Sequence, residues 1–238
     1  MDLKMALLLL ADLWMAYAGF VYGWKFLRNY RNYLLGLEWI IVATSGTNVI
    51  LLGLTGINHA SPSYHLMLFF DAFSRSFGIT LILVLGLMKV THRYKPSRAT
   101  DIAVFALATV AGLYLAIFAQ PISLVWAVFY VVMNALTAVF LAYFAWRLWS
   151  IDERAQAIWV LIATVAGSLV AAMYDFYHIP GDDENHTIFY IIALTTWAFM
   201  LTVYFYAYRA MHNHNERIEP DRAATKRGRR SDEQTSRA

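Results

Sequence analysis

The feature that most constrains this chain is a succession of seven apolar stretches, at about residues 5–27, 34–57, 65–89, 101–119, 122–148, 157–178 and 187–209. A helix rises about 1.5 Å per residue and needs roughly 20 apolar residues to cross the hydrocarbon of a bilayer, so each stretch has the length of a span. The stretches are continuous rather than alternating, which argues against a β-barrel. Composition agrees: only 15% of the 238 residues are charged, against about 25% in soluble domains. The expected fold is therefore an all-α integral membrane protein of seven transmembrane helices filling residues 1–211. Residues 212–238 turn polar and charged, carry Pro220 and Gly228, and are expected to form a disordered cytoplasmic tail. The first run continues into Trp24 and Lys25 with no basic segment before it, so it reads as a retained span and not as a cleaved signal peptide.

Orientation follows from the basic residues. Lys25, Arg28 and Arg31, then Lys89, Arg93, Lys95 and Arg98, then Arg147 and Arg154, and finally Lys226, Arg227, Arg229 and Arg230 fall in alternate loops and the tail. The intervening loops carry neither Lys nor Arg, and the last of them is acidic through Asp182, Asp183 and Glu184. The positive-inside rule then predicts an external N-terminus and a cytoplasmic C-terminus. The net charge of +3 and the pI near 9.0 are read as topology, and nucleic acid is excluded as a partner; the partners expected are the bilayer and a small-molecule substrate. The compact loops favour a bacterial inner membrane. Trp14, Trp24, Trp39, Trp146, Trp149 and Trp159 lie near span ends, where an amphipathic ring settles at headgroup depth.

Two spans open alike, Trp39-Ile-Ile-Val-Ala43-Thr44 and Trp159-Val-Leu-Ile-Ala163-Thr164. The external loop after each carries His, Pro and His in order, as His59, Pro62, His65 and as His178, Pro180, His186. Spans one to three are thus read as a parallel repeat of spans five to seven, with span four as linker. This 3+1+3 plan resembles the organisation of seven-helix sugar transporters and PQ-loop proteins. The resemblance stops at the plan, because those families carry prolines within the repeated helices, whereas Pro62, Pro96, Pro121, Pro180 and Pro220 all fall in loops or tail.

Charged groups at membrane depth cost roughly 2.5 to 3.5 kcal/mol each on insertion scales, so the intramembrane ones are the candidate functional residues. Asp71 and Arg75 stand four apart on one face of span three. Asp175 on span six and Tyr190 on span seven lie at comparable depth, with Asp12 on span one near enough to join them, and together they predict a polar pocket opening outward. Asn48 and Asn134, amides near the midplane, complete the substrate-binding set Asp71, Arg75, Asp175, Tyr190, Asn48 and Asn134. Glu38 is expected to form an ion pair with Lys25, Arg28 or Arg31. The four outward histidines His59, His65, His178 and His186 are the candidate metal ligands, with carboxylate help from Asp71, Asp175, Asp182 or Asp183. There is no Cys, so thiolate sites are excluded, and the last span has no Lys, which excludes a retinal Schiff base. No cofactor is expected in the leading reading, and zinc belongs to the alternative one.

These residues point to a small-molecule transporter of permease type, in which Arg75 binds an anionic substrate group and Asp71 or Asp175 takes up a proton. Two other classes fit the same positions. One is a membrane-embedded, metal-dependent lipid hydrolase at the outer interface; the other is a seven-helix ligand-binding or sensory protein. Soluble-enzyme signatures such as a Gly-rich phosphate loop, Gly-x-Ser-x-Gly or HExxH are absent from the sequence, which turns the balance away from an enzyme.

Overall fold

The structure is a computed structural model that describes residues 3–55, 60–119 and 122–235. Its elements are all helical: α1 (Leu3–Tyr30), α2 (Tyr33–Thr55), α3 (Pro62–Phe73), a π-helical segment (Ser74–Ile82), α4 (Leu83–Thr91), α5 (Arg98–Phe118), α6 (Leu124–Trp149), α7 (Arg154–Tyr174) and α8 (Thr187–Thr235). Six of the helices are long and apolar enough to cross a membrane. The third apolar stretch differs from expectation. It is one continuous run in sequence, yet it folds as two arms, Pro62–Gly78 and Thr80–Thr91, bent by 41°. The cause is the π-helical segment, whose wider turn interrupts the ladder of i→i+4 bonds and redirects the axis.

Helix starts follow ordinary capping chemistry. The Ser61 hydroxyl accepts the Tyr64 N–H at 3.2 Å ahead of Pro62, and the Ser97 hydroxyl accepts the Thr100 N–H at 3.1 Å, each satisfying a donor that the first turn leaves free. α8 is opened by two carboxylates. Asp182 accepts N–H groups from Ile188 at 2.8 Å and Phe189 at 2.9 Å, and Asp183 accepts the N–H and hydroxyl of Thr187 at 3.1 and 2.9 Å. The acidic loop is thus a helix cap.

α1 lies between α2 and α8, α8 between α1 and α7, and α7 between α8 and α6; the bent third stretch sits inside, touching α2, α5, α6 and α8. The α1–α2 contact is close because Gly19 and Gly23 stand one turn apart. A methyl added at Gly19 would lie 2.5 Å from the Trp39 carbonyl oxygen and 2.6 Å from the Ala43 Cβ, the near approach that small residues allow between helices in lipid. Ile102 at 69%, Val125 at 73% and Val139 at 71% exposure mark the outward faces of α5 and α6. Apolar side chains so placed suit hydrocarbon and not water.

One expectation changes here. Trp39 is not at the interface: it is buried, and its indole N–H donates to the Leu201 carbonyl at 3.1 Å. The other five of those tryptophans are exposed. Past His212 the helix of α8 runs on to Thr235. The turns around that residue are held by the bundle: Met211 is fully buried, the His212 ring meets Tyr30 at 4.9 Å, and the Asn215 amide donates to the Val90 carbonyl at 2.8 Å.

Candidate functional site

Arg75 is the centre of the polar interior. It is the second residue of the π-helical segment, and its guanidinium pairs with Asp71 one turn earlier at 3.3 Å and with Asp175 at the end of α7. The remaining Asp71 oxygen accepts the Tyr174 hydroxyl at 2.9 Å. Two aromatic rings lie against the guanidinium, Tyr130 of α6 at 4.2 Å and Tyr174 of α7 at 4.0 Å. A planar, delocalised cation is suited to this combination of forked hydrogen bonding and ring stacking, and an ammonium is not. One arginine thereby joins the bent stretch, α6 and α7.

Two hollows meet at this layer. An open one of about 310 Å³ is lined by Ile122, Ser123, Leu124, Ala127, Asp175 and Phe176. A more enclosed one of about 40 Å³ is lined by Arg75, Thr80, Tyr130, Asn134 and Tyr174 together with the apolar Gly167, Val170, Ala171, Trp197 and Met200; that is room for about one or two waters. Asp175 faces the first and Arg75 the second, so their ion pair stands at the boundary. The cluster holds two carboxylates and one cation, a surplus of one negative charge when all are ionised. Two of the five guanidinium donors serve Asp71 and Asp175.

Of the residues singled out from sequence, Asp71, Arg75 and Asp175 come together, Tyr190 stands beside Tyr174, and Asn134 lines the enclosed hollow. Asn48 does not join them. Its amide donates to the Ser63 carbonyl at 2.9 Å, tying α2 to the start of α3. Tyr130 and Tyr174 were not in the expected set. Their signal was present in spacing: Tyr130 precedes Asn134 by one helical turn, and Tyr174 adjoins Asp175.

Asp12 and Glu38 are separate from this cluster. Asp12 is buried on α1 against Gly46 of α2, with its Oδ1 lacking any hydrogen-bond partner. Glu38 is buried with both carboxyl oxygens unpartnered. Its expected ion pair is not formed: the side chain faces Gly78 of the π-helical segment, while the Lys25 ammonium lies over the Tyr22 and Phe205 rings at 5.3 and 5.6 Å.

The rings of His178 and His186 touch at 4.8 Å between centroids, edge to face. His65 packs against Tyr64, and His59 lies outside the described residues. Among the described residues no group of three or more His, Asp or Glu is placed to hold a metal ion. For Asp182, partial desolvation pushes the pKa up but is outweighed by the N–H groups of Ile188, Phe189 and Asp183; its carboxyl sits below the ordinary range. The Thr187 N–H and hydroxyl hold that of Asp183 low in the same way.

No family model matches the chain, and neither a curated protein nor a solved structure matches it at a significant level.

Proposed function

We propose that the chain is a seven-span carrier, with its N-terminus outside and its C-terminus in the cytoplasm, that moves a small solute together with, or in exchange for, a proton or other cation. The observation that carries this reading is the Arg75 layer: an ion-paired contact to which three helices contribute, with an open hollow against Asp175 and a smaller, more enclosed one against Arg75. A carrier needs such a barrier, one that opens when a bound ion or solute competes for its charges. The surplus negative charge of the Asp71–Arg75–Asp175 cluster favours a cation or a proton as that competitor.

The remaining elements of the reading have their own support. Counting the bent pair as one span makes seven, and an odd number is what the alternation of basic and non-basic loops requires. The packing of α1 on α2 and of α6 on α7 accords with a 3+1+3 repeat. A bacterial inner membrane remains the setting that the short loops favour.

The absence of Cys makes the test direct. Asn134→Cys places a single thiol in the smaller hollow, and an impermeant thiol reagent is applied to each face of sealed vesicles. Labelling from both faces, with the Asp175→Asn background raising the rate from the outer face, is the expected result. Labelling from the outer face alone, unaffected by that background, refutes a carrier and leaves a one-sided pocket.

A further inference from the structure

Among the described residues Glu38 stands as a buried, isolated acid. It is 2% exposed, neither carboxyl oxygen has a hydrogen-bond partner, and it belongs to no ion pair among the described residues. Its position is specific. A methyl at Gly78 would collide with Oε1 and lie 2.8 Å from Oε2, so the carboxyl occupies the space that any other residue at 78 would fill. Gly78 is the fifth of the nine residues of the π-helical segment, three residues beyond Arg75.

The titratable groups on the packed elements form neither a hydrogen bond nor an ion pair with it. On α1, Lys25 lies over the Tyr22 and Phe205 rings and Asp12 faces Gly46; Arg28 lies in the last turn of the same helix. On the bent stretch, Asp71 and Arg75 bind each other, and Lys89 of α4 donates to the Arg31 carbonyl with Asp101 of α5 nearby. On α8, Tyr204 bonds Thr164 and Tyr208 stacks on His212. A bare carboxylate in such a place has nothing to offset its lost hydration, whereas the neutral acid loses far less. π-helical turns are rare and recur at functional sites, and this one is filled from the side by an acid that needs a proton to stay there.

We propose that Glu38 is a proton-binding site distinct from the Arg75 cluster, and that its occupancy holds Ser74–Ile82 in the π-helical form. With the proton bound, the neutral carboxyl rests against Gly78. When the proton leaves for bulk water, the carboxylate withdraws toward the basic end of α1 and α2, where Lys25, Arg28 and Arg31 lie. The segment then loses its lateral support and tightens, which turns Arg75 relative to Asp71 and Asp175. Glu38 thus acts on Arg75 as a positioning residue, and it does so whichever solute crosses the layer.

Infrared difference spectroscopy on the full chain in lipid bilayers, titrated from about pH 5 to about pH 10, reads the proton directly. The expected result is a protonated-carboxyl band at neutral pH that is lost in Glu38→Gln and retained in Asp12→Asn. Amide exchange within Ser74–Ile82 should change as that band disappears, and this pH dependence should be lost in Glu38→Gln. A spectrum identical in wild type and Glu38→Gln overturns the site, and exchange that follows pH equally in both overturns the link to the π-helical segment. Should Glu38→Gln fail to fold, Gly78→Ala serves instead: it evicts the carboxyl and must remove the same band, and a persisting band overturns the proposal.

Discussion

Replacing Arg75 with Met removes the one cation between Asp71 and Asp175 while keeping an unbranched apolar stem. The side chains of Arg75 and Asp175 are 10% and 9% exposed and that of Asp71 is 24% exposed, so most of the cluster is shielded from water. Breaking a buried pair by removing one partner costs about 3 to 5 kcal/mol. A second estimate sets a ceiling. A carboxylate stripped of its cation can take a proton instead, and at pH 7 that costs about 4 kcal/mol from an ordinary value near 3.9, at about 1.36 kcal/mol per pH unit. Asp71 keeps the Tyr174 hydroxyl and some hydration, so Asp175 accounts for most of the penalty. Arg75→Met should therefore lose about 3 to 4 kcal/mol of unfolding free energy in detergent or bicelles at pH 7, and the deficit should shrink on acidification as protons replace the guanidinium. Adding Asp175→Asn removes the stranded charge and should recover about half or more of the loss, a coupling that a double-mutant cycle isolates. Arg75→Lys should fall between, because a point charge cannot serve two carboxylates and stack against two rings. A loss below about 1 kcal/mol for Arg75→Met, or no recovery in the double variant, would mean that the pairs do not hold the three spans together.

Gly19→Val should cost about 1 to 3 kcal/mol through overpacking against Trp39 and Ala43, read as a lower melting temperature and a poorer yield of folded protein. Asn48→Ala should cost about 1 kcal/mol by releasing the Ser63 carbonyl and leave thiol labelling at Asn134→Cys unchanged; altered labelling would return Asn48 to the site. The Asp182 and Asp183 carboxyls sit below their ordinary value of 3.8, so their stabilisation of the start of α8 is present above that value and is lost as pH falls through the folded-state value. Amide exchange at Ile188 and Phe189 should accordingly stay slow from neutral pH down to about 4 and quicken in stronger acid, whereas Asp182→Asn should quicken it already at neutral pH. Asn215→Ala should speed exchange in the turns after Met211 and leave the rest of α8 as it is, since only the tie to the Val90 carbonyl is cut.

The spans were legible because lipid imposes one requirement on every residue of a crossing helix, and hydropathy reports it without reference to partners. Asp71 and Arg75 were legible for a related reason: a four-residue spacing fixes two groups on one face whatever surrounds them. Asp175 and Asn134 could be picked out by type and depth and grouped with Arg75 in one pocket, but the ion pair of Asp175 with Arg75 could not be read, because that contact depends on how α7 rotates about its axis. The tyrosines that lie against the guanidinium were hidden by abundance, in a chain with 15 Tyr and 15 Phe. Glu38 misled for a geometric reason: Lys25, Arg28 and Arg31 are near in sequence, but the phase of α2 turns the carboxyl toward Gly78. Asn48 and Trp39 found backbone carbonyls, acceptors that every residue offers and that no residue type advertises. The π-helical segment had no signature in the apolar pattern, since widening a turn alters the axis and not the hydropathy.

The charge balance of the interior unites the two sites. Asp12, Glu38, Asp71 and Asp175 are acids and Arg75 is the one base in the Arg75 cluster, so if all were ionised the set would carry a surplus of three negative charges in a medium that screens them little. Hydrogen bonding does not relieve it, because Asp12 Oδ1 and both Glu38 oxygens have no donor. Protons or bound cations must then supply most of the balance. They are also the species whose arrival and departure would alter these contacts, at Gly78 through Glu38 and at the Arg75 cluster through Asp71 and Asp175. A structural network would be expected to match its charges and leave nothing to titrate; this interior is short of cations at three places, at Asp12, at Glu38 and at the Arg75 cluster. If Asp71→Asn, Asp175→Asn and Glu38→Gln together leave both the pH dependence of stability and the labelling of Asn134→Cys unchanged, the imbalance has no functional meaning.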